Sequence, residues 1–578
     1  MGMIKGTALS SGIAHGTAYV IACTEQTAAA QRSIEPSEVQ RELDRLESAV
    51  ARAEQDLRAL EHSVRQEVGA REGDIFAAQA LVVGDLGFRT QIRGIVQDKR
   101  VNVEAALLEV IEGFTRAFDK IPDVYLRERA ADIRDVGRRV LAILSDRQGA
   151  DVCTIPEDAI IVAEELLPSA TAHFELNRAR AFVTKRGGKF SHGAILARSL
   201  GTPAVGGIAD AATEIKTGDR LIVDGVSGLV FINPESAVER EYDRLEGEIR
   251  SYQEALHDLI DLPSVTLDGT SIPLLANVSK FADTEAALLY RADGIGLYRT
   301  EFGFSVRGAF PTEDEQYEFL KRAAERFHPR PVVFRLLDMG GDKDLAYFPL
   351  PRSRNPSLAQ RGIRLLLQHR GVLRSQLRAF LRISAEHPVS ILLPMVGGLE
   401  EVRQTRAIVQ QIQGELAAEH QRFNSQIPIG AMIEVPAAAL LAPRLAKEVD
   451  FFSLGTNDLV QYVLAADRED ESIASSYQPL HPAVLHVIHS LAEAARNAGR
   501  ELTICGEMAG NPRYTALLIG LGLRAFSVAP GEMLAVKKAL RGMRIDEAEA
   551  LARQARELGS VAEIEALLGD GGSTWTPN

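Results

Sequence analysis

"DFFSLGTNDLVQYVLAADR", residues 450–468, holds a short apolar run, a polar break and then a helix-like stretch. The run "FFSLG" has the length of a buried strand, and "TND" closes it with polar side chains. Seven more runs in the last half of the chain follow the same plan: "IPLLANV", "GIGLYRT", "VVFRLLD", "SILLPMV", "IGAMIEV", "LTICGEM" and "RAFSVAP". Longer helical or loop segments separate them. Strands that alternate with helices imply a parallel sheet, and eight such units are what a closed (β/α)8 barrel of the TIM type requires. The count alone also fits an open sheet. The polar residues decide for the barrel: Arg299, Asp338, Glu434, Asn457, Asp458 and Glu507 all lie at or just past the C-terminal ends of these runs. In a barrel those ends meet on one face, where active sites are built.

The rest of the chain sets bounds around that barrel. Its 578 residues suggest three or four domains. Hydrophobic content of 46%, charged content of 25% and a mean hydropathy of -0.04 exclude a disordered or fibrous chain. No apolar run approaches the ~18 residues of a membrane span, and the start, "MGMIKGTALSSGIAHG", lacks a secretory signal. A cytoplasmic location without membrane insertion is expected. Cys23, Cys153 and Cys505 stand far apart and form neither a disulfide framework nor a zinc pair. A net charge of -14 argues against nucleic acid as a main partner.

From residue 36 to about 145 the chain reads as helical. Leu43, Leu46, Val50, Ala53, Leu57, Leu60 and Val64 step by alternating threes and fours, the seam of one helix in a bundle. Short β-like pieces flank this block: "GTAYVIA" before it, then "AIIVAE", "RAFVTK" and "RLIVDGVSGLVFINP" after it. The expected architecture is therefore α/β and multidomain. A small α/β domain (1–34 and 148–234) carries an inserted helical bundle (35–147). A linker helix (235–262), with Val238, Tyr242, Leu245, Ile249, Tyr252, Leu256 and Leu259 at helical spacing, leads to the barrel (263–578).

The strand ends also carry chemistry. Arg299, Arg335, Arg361 and Arg468 offer planar forks of donors that match phosphate and carboxylate oxygens. Singly, each fits an ordinary ion pair; together they describe an anion pocket. Glu434 and Asp458 supply hard oxygens suited to Mg²⁺ beside a phosphate, and Asn457 an amide donor. Cys505 reads as a small hydrophobe by position alone, or as a proton donor if it faces the pocket. In "GGKFSHGAILARSL", His192 precedes a helical run whose N-terminal amides would favour a phosphoryl group on the ring. Gly187 and Gly188 permit close backbone approach. A neutral imidazole there is a competent nucleophile, although a lone histidine at a helix start is more often structural.

The motifs "SSGIAHG", "ERAADIRDVGRR", "GGKFSHGAILARSLGTPAVGG", "RADGIGLYRTEF", "RLLDMGGDK", "NPSLAQRGIR", "MIEVPAAA", "DFFSLGTNDLVQYVLAADR" and "CGEMAG" occur in this order along nearly the whole length. With them the chain closely resembles the enzyme I family of the bacterial phosphotransferase system, the phosphoenolpyruvate-protein phosphotransferases. The resemblance implies a cytoplasmic enzyme that takes the phosphoryl group of phosphoenolpyruvate (PEP) onto Nε2 of His192. It would release pyruvate and pass the group to a histidine of the carrier protein HPr. It implies that Thr171, in "LPSATAHF", positions the ring, and that Arg299, Arg335 and Arg468 grip the substrate's phosphate and carboxylate with help from Arg361, Asn457 and Asp458. Glu434 and Asp458 would hold Mg²⁺, and Cys505 would protonate the enolate. The helical insert would dock HPr, the α/β domain would carry the phosphohistidine, and the barrel would bind PEP and form a homodimer. A swing of the His192 domain about residues 235–262 is expected.

Around the histidine the sequence departs from the family pattern. Lys189, Phe190 and Gly193 stand where many members carry small or hydroxyl-bearing residues, so an altered rate or phosphohistidine stability is expected. A pyruvate phosphate dikinase or PEP synthase would need an ATP-binding domain ahead of the histidine, and no glycine-rich nucleotide loop is present there. A scaffold that binds PEP or HPr without catalysis would not need nucleophile, metal ligands and proton donor together. A nitrogen-branch paralogue usually carries a sensor domain in front; residue 1 leads straight into the α/β domain, which favours the sugar branch.

Overall fold

The chain divides into two units, Met1–Arg250 and Ser251–Thr574, in a computed structural model. It describes residues 2–21, 32–67, 76, 79–80, 83–84, 86–118, 136–137, 139–144, 156, 158–164, 179–186, 193–194, 197–198, 201–208, 214–305, 309–341, 347–348, 353, 355–468, 470 and 473–569. No helix among them is long and apolar enough to cross a membrane.

The first unit is organised by a mixed sheet. Its strands are β1 (Gly2–Lys5), β2 (Thr7–Ser10), β3 (Ile13–Ile21), β4 (Ala159–Ala163), β5 (Ala181–Thr184), β6 (Ala204–Gly206), β7 (Arg220–Asp224) and β8 (Leu229–Ile232). Their order is β1-β8-β7-β3-β4-β5-β6-β2. Strands β3 to β6 run parallel, and β7, β8, β1 and β2 pair antiparallel at the flanks. The continuous apolar runs of β4 and β5 follow from burial on both faces. Ile160, Val162 and Val183 pack on one side, and Ile161, Phe182, Ala194 and Ala197 on the other. Gly193 and Ala194 are helical and buried. His192, Thr171, Lys189 and Phe190 lie outside the described residues.

Helices α1 (Val39–Glu67), α2 (Leu86–Lys99) and α3 (Val103–Phe118) form the helical insert. The seam residues Leu43, Leu46, Val50, Ala53 and Leu57 are buried in its core with Ile92, Val96 and Leu107; the side chains of Leu60 and Val64 lie outside the described part. Glu42, itself buried, accepts from the Val103 amide at 3.0 Å, tying α1 to the start of α3. The linker stretch forms α4 (Ser236–His257).

Each of the eight apolar runs of the C-terminal half forms a strand: β9 (Leu274–Val278), β10 (Ile295–Arg299), β11 (Val332–Arg335), β12 (Val389–Leu393), β13 (Ile429–Ile433), β14 (Phe451–Gly455), β15 (Glu501–Cys505) and β16 (Phe526–Val528). All neighbours are parallel, and β16 pairs with β9 to close the barrel. Side chains alternate across a strand. Phe334, Ile391, Ile433, Phe452, Ile504 and Phe526 therefore point out to the helices and join the main core. Leu297, Leu392, Met432 and Cys505 make a separate cluster inside the barrel, with Val333 and Phe451 against it. Gly430 leaves room for the Phe451 ring, which a Cβ would meet at 2.4 Å. The helix α5 (Met533–Arg541) returns to the chain entering the barrel. Lys537 on it is only 3% exposed, and its Nζ donates to the carbonyls of Leu259, Ile260 and Leu262 at 3.3, 3.0 and 3.0 Å.

Candidate active site

The inward parity of the strands delivers functional side chains to one place. Arg299 and Arg335 end β10 and β11, Cys505 ends β15, and Glu434 directly follows β13. With Asn457, Asp458 and Arg468, which follow β14, they line a single cavity of about 660 Å³ at the C-terminal mouth of the barrel. Seven residues singled out in the sequence thus come together. Arg361 sits at the edge of this group, buried under carboxylates.

A buried charge network fixes two of the guanidiniums. Asp338 has no exposed surface. It accepts from Arg361 Nε and Nη2, both at 2.9 Å, and lies 3.2 Å from Arg335 Nη1. Glu301 accepts from Arg335 Nη2 at 2.6 Å and from the Asp338 amide at 3.0 Å. Asp458 takes a second side of Arg361 at 3.0 Å. The Nε atoms of Arg299 and Arg335 are buried without a protein partner. Donors left over at the edge of a polar cavity are what an incoming anion would satisfy.

Glu434 is almost completely buried and accepts from the Met395 amide at 2.6 Å. Burial first, then the charges of Asp458 and Asp338, push its carboxyl up to about 8, against a smaller opposite pull from Arg335. Excess negative charge at this point suits a cation. Among the described residues no three carboxylate, histidine or cysteine side chains form a ready-made cage. The pair Glu434 and Asp458 fits a hard ion such as Mg²⁺, which takes few protein ligands and completes its shell with water and substrate oxygens.

Two strands along from Glu434, Cys505 is 2% exposed. Its Sγ lies 3.3 Å from Ser453 Oγ and 3.3 Å from the Leu454 carbonyl. Burial pushes the thiol above its ordinary value, with only a partial offset from the Ser453 hydrogen bond and from Arg299 and Arg335. The sulfur is therefore protonated at neutral pH. Asn457 Nδ2 donates to Glu507 Oε1 at 2.9 Å, and the Glu507 amide returns a bond to Asn457 Oδ1 at 2.9 Å. Tyr477 donates its hydroxyl to the Asn457 carbonyl at 3.2 Å; burial holds this phenol up at about 12.

Three family models tile the chain: the PEP-utilising enzyme N-terminal region over residues 5–129, the mobile domain over 155–228 and the PEP-binding domain over 253–545. A phosphoenolpyruvate-protein phosphotransferase of Geobacillus stearothermophilus is 41% identical, with 98% of this chain and 97% of the relative covered. Proteins of the same name from Bacillus sp. (strain S) and Haemophilus influenzae are 40% and 37% identical over 98% of this chain. The chain belongs to the phosphoenolpyruvate-protein phosphotransferase family.

For a member of this family, the structure adds residues that the sequence left without a role. Asp338 ends the third barrel run and was visible as a strand-end carboxylate; Glu301, two places after Arg299 in "RTEF", was not singled out although it too follows a strand end. That they brace Arg335 and Arg361 depends on side chains meeting from different strands. Ser453 was hidden inside an apolar run, where only its inward parity marks it. Tyr477 sits in a loop with no local signal.

Proposed function

We propose that the protein transfers the phosphoryl group of PEP to Nε2 of His192, releases pyruvate, and hands the group to a histidine of an HPr-type carrier. The observation that carries this reading is the convergence of Arg299, Arg335 and Arg468 on one cavity that also holds Glu434 and a buried, protonated Cys505. PEP is a small acid with a phosphate at one end and a carboxylate at the other. Three guanidiniums with the Asn457 amide match both ends, and Asp338 and Glu301 spare Arg335 the cost of finding its orientation on binding.

The transfer needs little covalent help from the protein. The lone pair of neutral His192 attacks phosphorus, a P–N bond forms, and the bond from phosphorus to the enol oxygen breaks. Its electron pair stays on the oxygen as the enolate of pyruvate. Cys505 Sγ gives its proton to the methylene carbon, which yields the keto acid, and the sulfur recovers a proton from solvent. The raised thiol is the form a donor requires. Glu434 and Asp458 would hold Mg²⁺, which neutralises charge on the substrate's oxygens. Arg361, locked between Asp338 and Asp458, supports this wall from behind.

We assign residues 1–34 and 148–234 to the phosphohistidine domain, with Thr171 positioning the ring, and 35–147 to HPr docking. Residues 235–262 form the linker, and 263–578 bind PEP and form a homodimer. The direct test mixes the protein with PEP, Mg²⁺ and an HPr-type carrier in the absence of ATP. Phosphorylated carrier and stoichiometric pyruvate are expected; a strict requirement for ATP would contradict the assignment.

A further inference from the structure

Glu507 follows the last residue of the β15 end by two positions, lines the cavity, and has no task in the transfer described above. Its side chain is 78% exposed, and Oε1 lies 3.8 Å from Arg468 Nη1 while accepting from Asn457 Nδ2 at 2.9 Å. One carboxylate oxygen thus engages two of the groups assigned to the substrate's anionic ends. The main chain puts it there. Residue 506 is glycine at φ +100, and a Cβ at that position would stand 2.3 Å from Thr456 Oγ1 and 2.8 Å from Asn457 Oδ1. That close approach lets the Glu507 amide donate to Asn457 Oδ1. The backbone bond by itself fixes which way the Asn457 amide faces, so the negative charge of the side chain serves some other purpose.

We propose that the Glu507 carboxylate is an internal anion: it engages Asn457 and Arg468 and is displaced when PEP binds. The inference rests on the functional reading above. While it occupies the site, Glu507 keeps Arg468 directed at the cavity, and it raises the threshold for weakly charged ligands, which cannot repay its displacement. A substrate with several negative charges can do so through the remaining arginines and the metal site.

Glu507→Gln separates charge from shape, because the amide oxygen still accepts from Asn457 while the like charge facing the substrate is gone. In calorimetric titration with PEP and Mg²⁺, the variant is expected to bind PEP about fivefold more tightly than wild type. In turnover the gain appears as a lower KM without a matching rise in kcat. The advantage shrinks as ionic strength rises. Glu507→Ala, which also removes the side-chain contact, is expected to gain affinity as well. A Glu507→Gln protein that binds PEP no more tightly than wild type, or more weakly, overturns the proposal and makes the carboxylate a support for Asn457. A wild-type protein that does not bind PEP at all removes the functional reading, and this inference with it.

Discussion

The proton-donor role proposed for Cys505 depends on that side chain's surroundings. Inside the barrel its sulfur meets only a serine hydroxyl and a backbone carbonyl at hydrogen-bond distance, and burial disfavours the thiolate. A donor that must protonate carbon and then be recharged is best kept as the thiol. Replacing it with alanine is expected to leave PEP binding within about twofold, because no charge is removed. Turnover is expected to fall by about 100-fold or more. Equal losses in binding and turnover would make Cys505 a packing residue. Because burial raises the thiol above its ordinary value, the fall in rate that it contributes lies on the alkaline side, where the proton leaves; a pH profile of kcat that begins to fall near neutrality would have another origin. At this scale the sequence was partly legible. Residue types and strand-end positions identified the arginines, the acids and the thiol, but it could not rank them. Arg361 resembles its three companions in sequence, but Asp338 and Asp458 hold it from two sides, whereas Arg299, Arg335 and Arg468 line the cavity.

Among elements, the barrel strands were readable because each is a short, two-sided apolar run bounded by polar breaks, and because their inward positions repeat with period two. The first unit was harder. The runs of β3, β4, β5, β7 and β8 stood out, whereas β1 (GMIK), β2 (TALS) and β6 (AVG) carry at most two large apolar side chains each. Strands β1 and β2 are the two edges of the sheet, and each leaves some side chains at the surface, so no continuous apolar signal is needed. The anchoring of the chain between α4 and the barrel was also illegible, since Lys537 looks like any helical lysine. Its ammonium, buried against three carbonyls, is held down from its usual value by that burial. Lys537→Met is expected to cost about 1–2 kcal/mol, read as a lower urea midpoint with unchanged m-value. An unaltered midpoint would mean that solvent replaces the ammonium at no cost.

For the whole molecule, the proposed nucleophile and the proposed substrate cavity fall in different units of the chain: position 192 is in the range of the first, and the arginines, acids and thiol are in the second. The family relationship covers both units in one polypeptide. The division into two units was legible in the sequence, because each carries its own set of strand-like runs: a mixed sheet in the first and a closed barrel in the second. Under the proposed function, the cavity binds PEP without His192, but nothing is phosphorylated without it. The deciding measurement is incubation of wild type and His192→Ala with Mg²⁺ and PEP labelled at phosphorus, with pyruvate counted against protein-bound label. The account predicts one acid-labile, base-stable label per pyruvate on the wild type, and on His192→Ala PEP binding with neither label nor pyruvate. Label that persists on His192→Ala, or pyruvate released from it at the wild-type rate, would contradict the account.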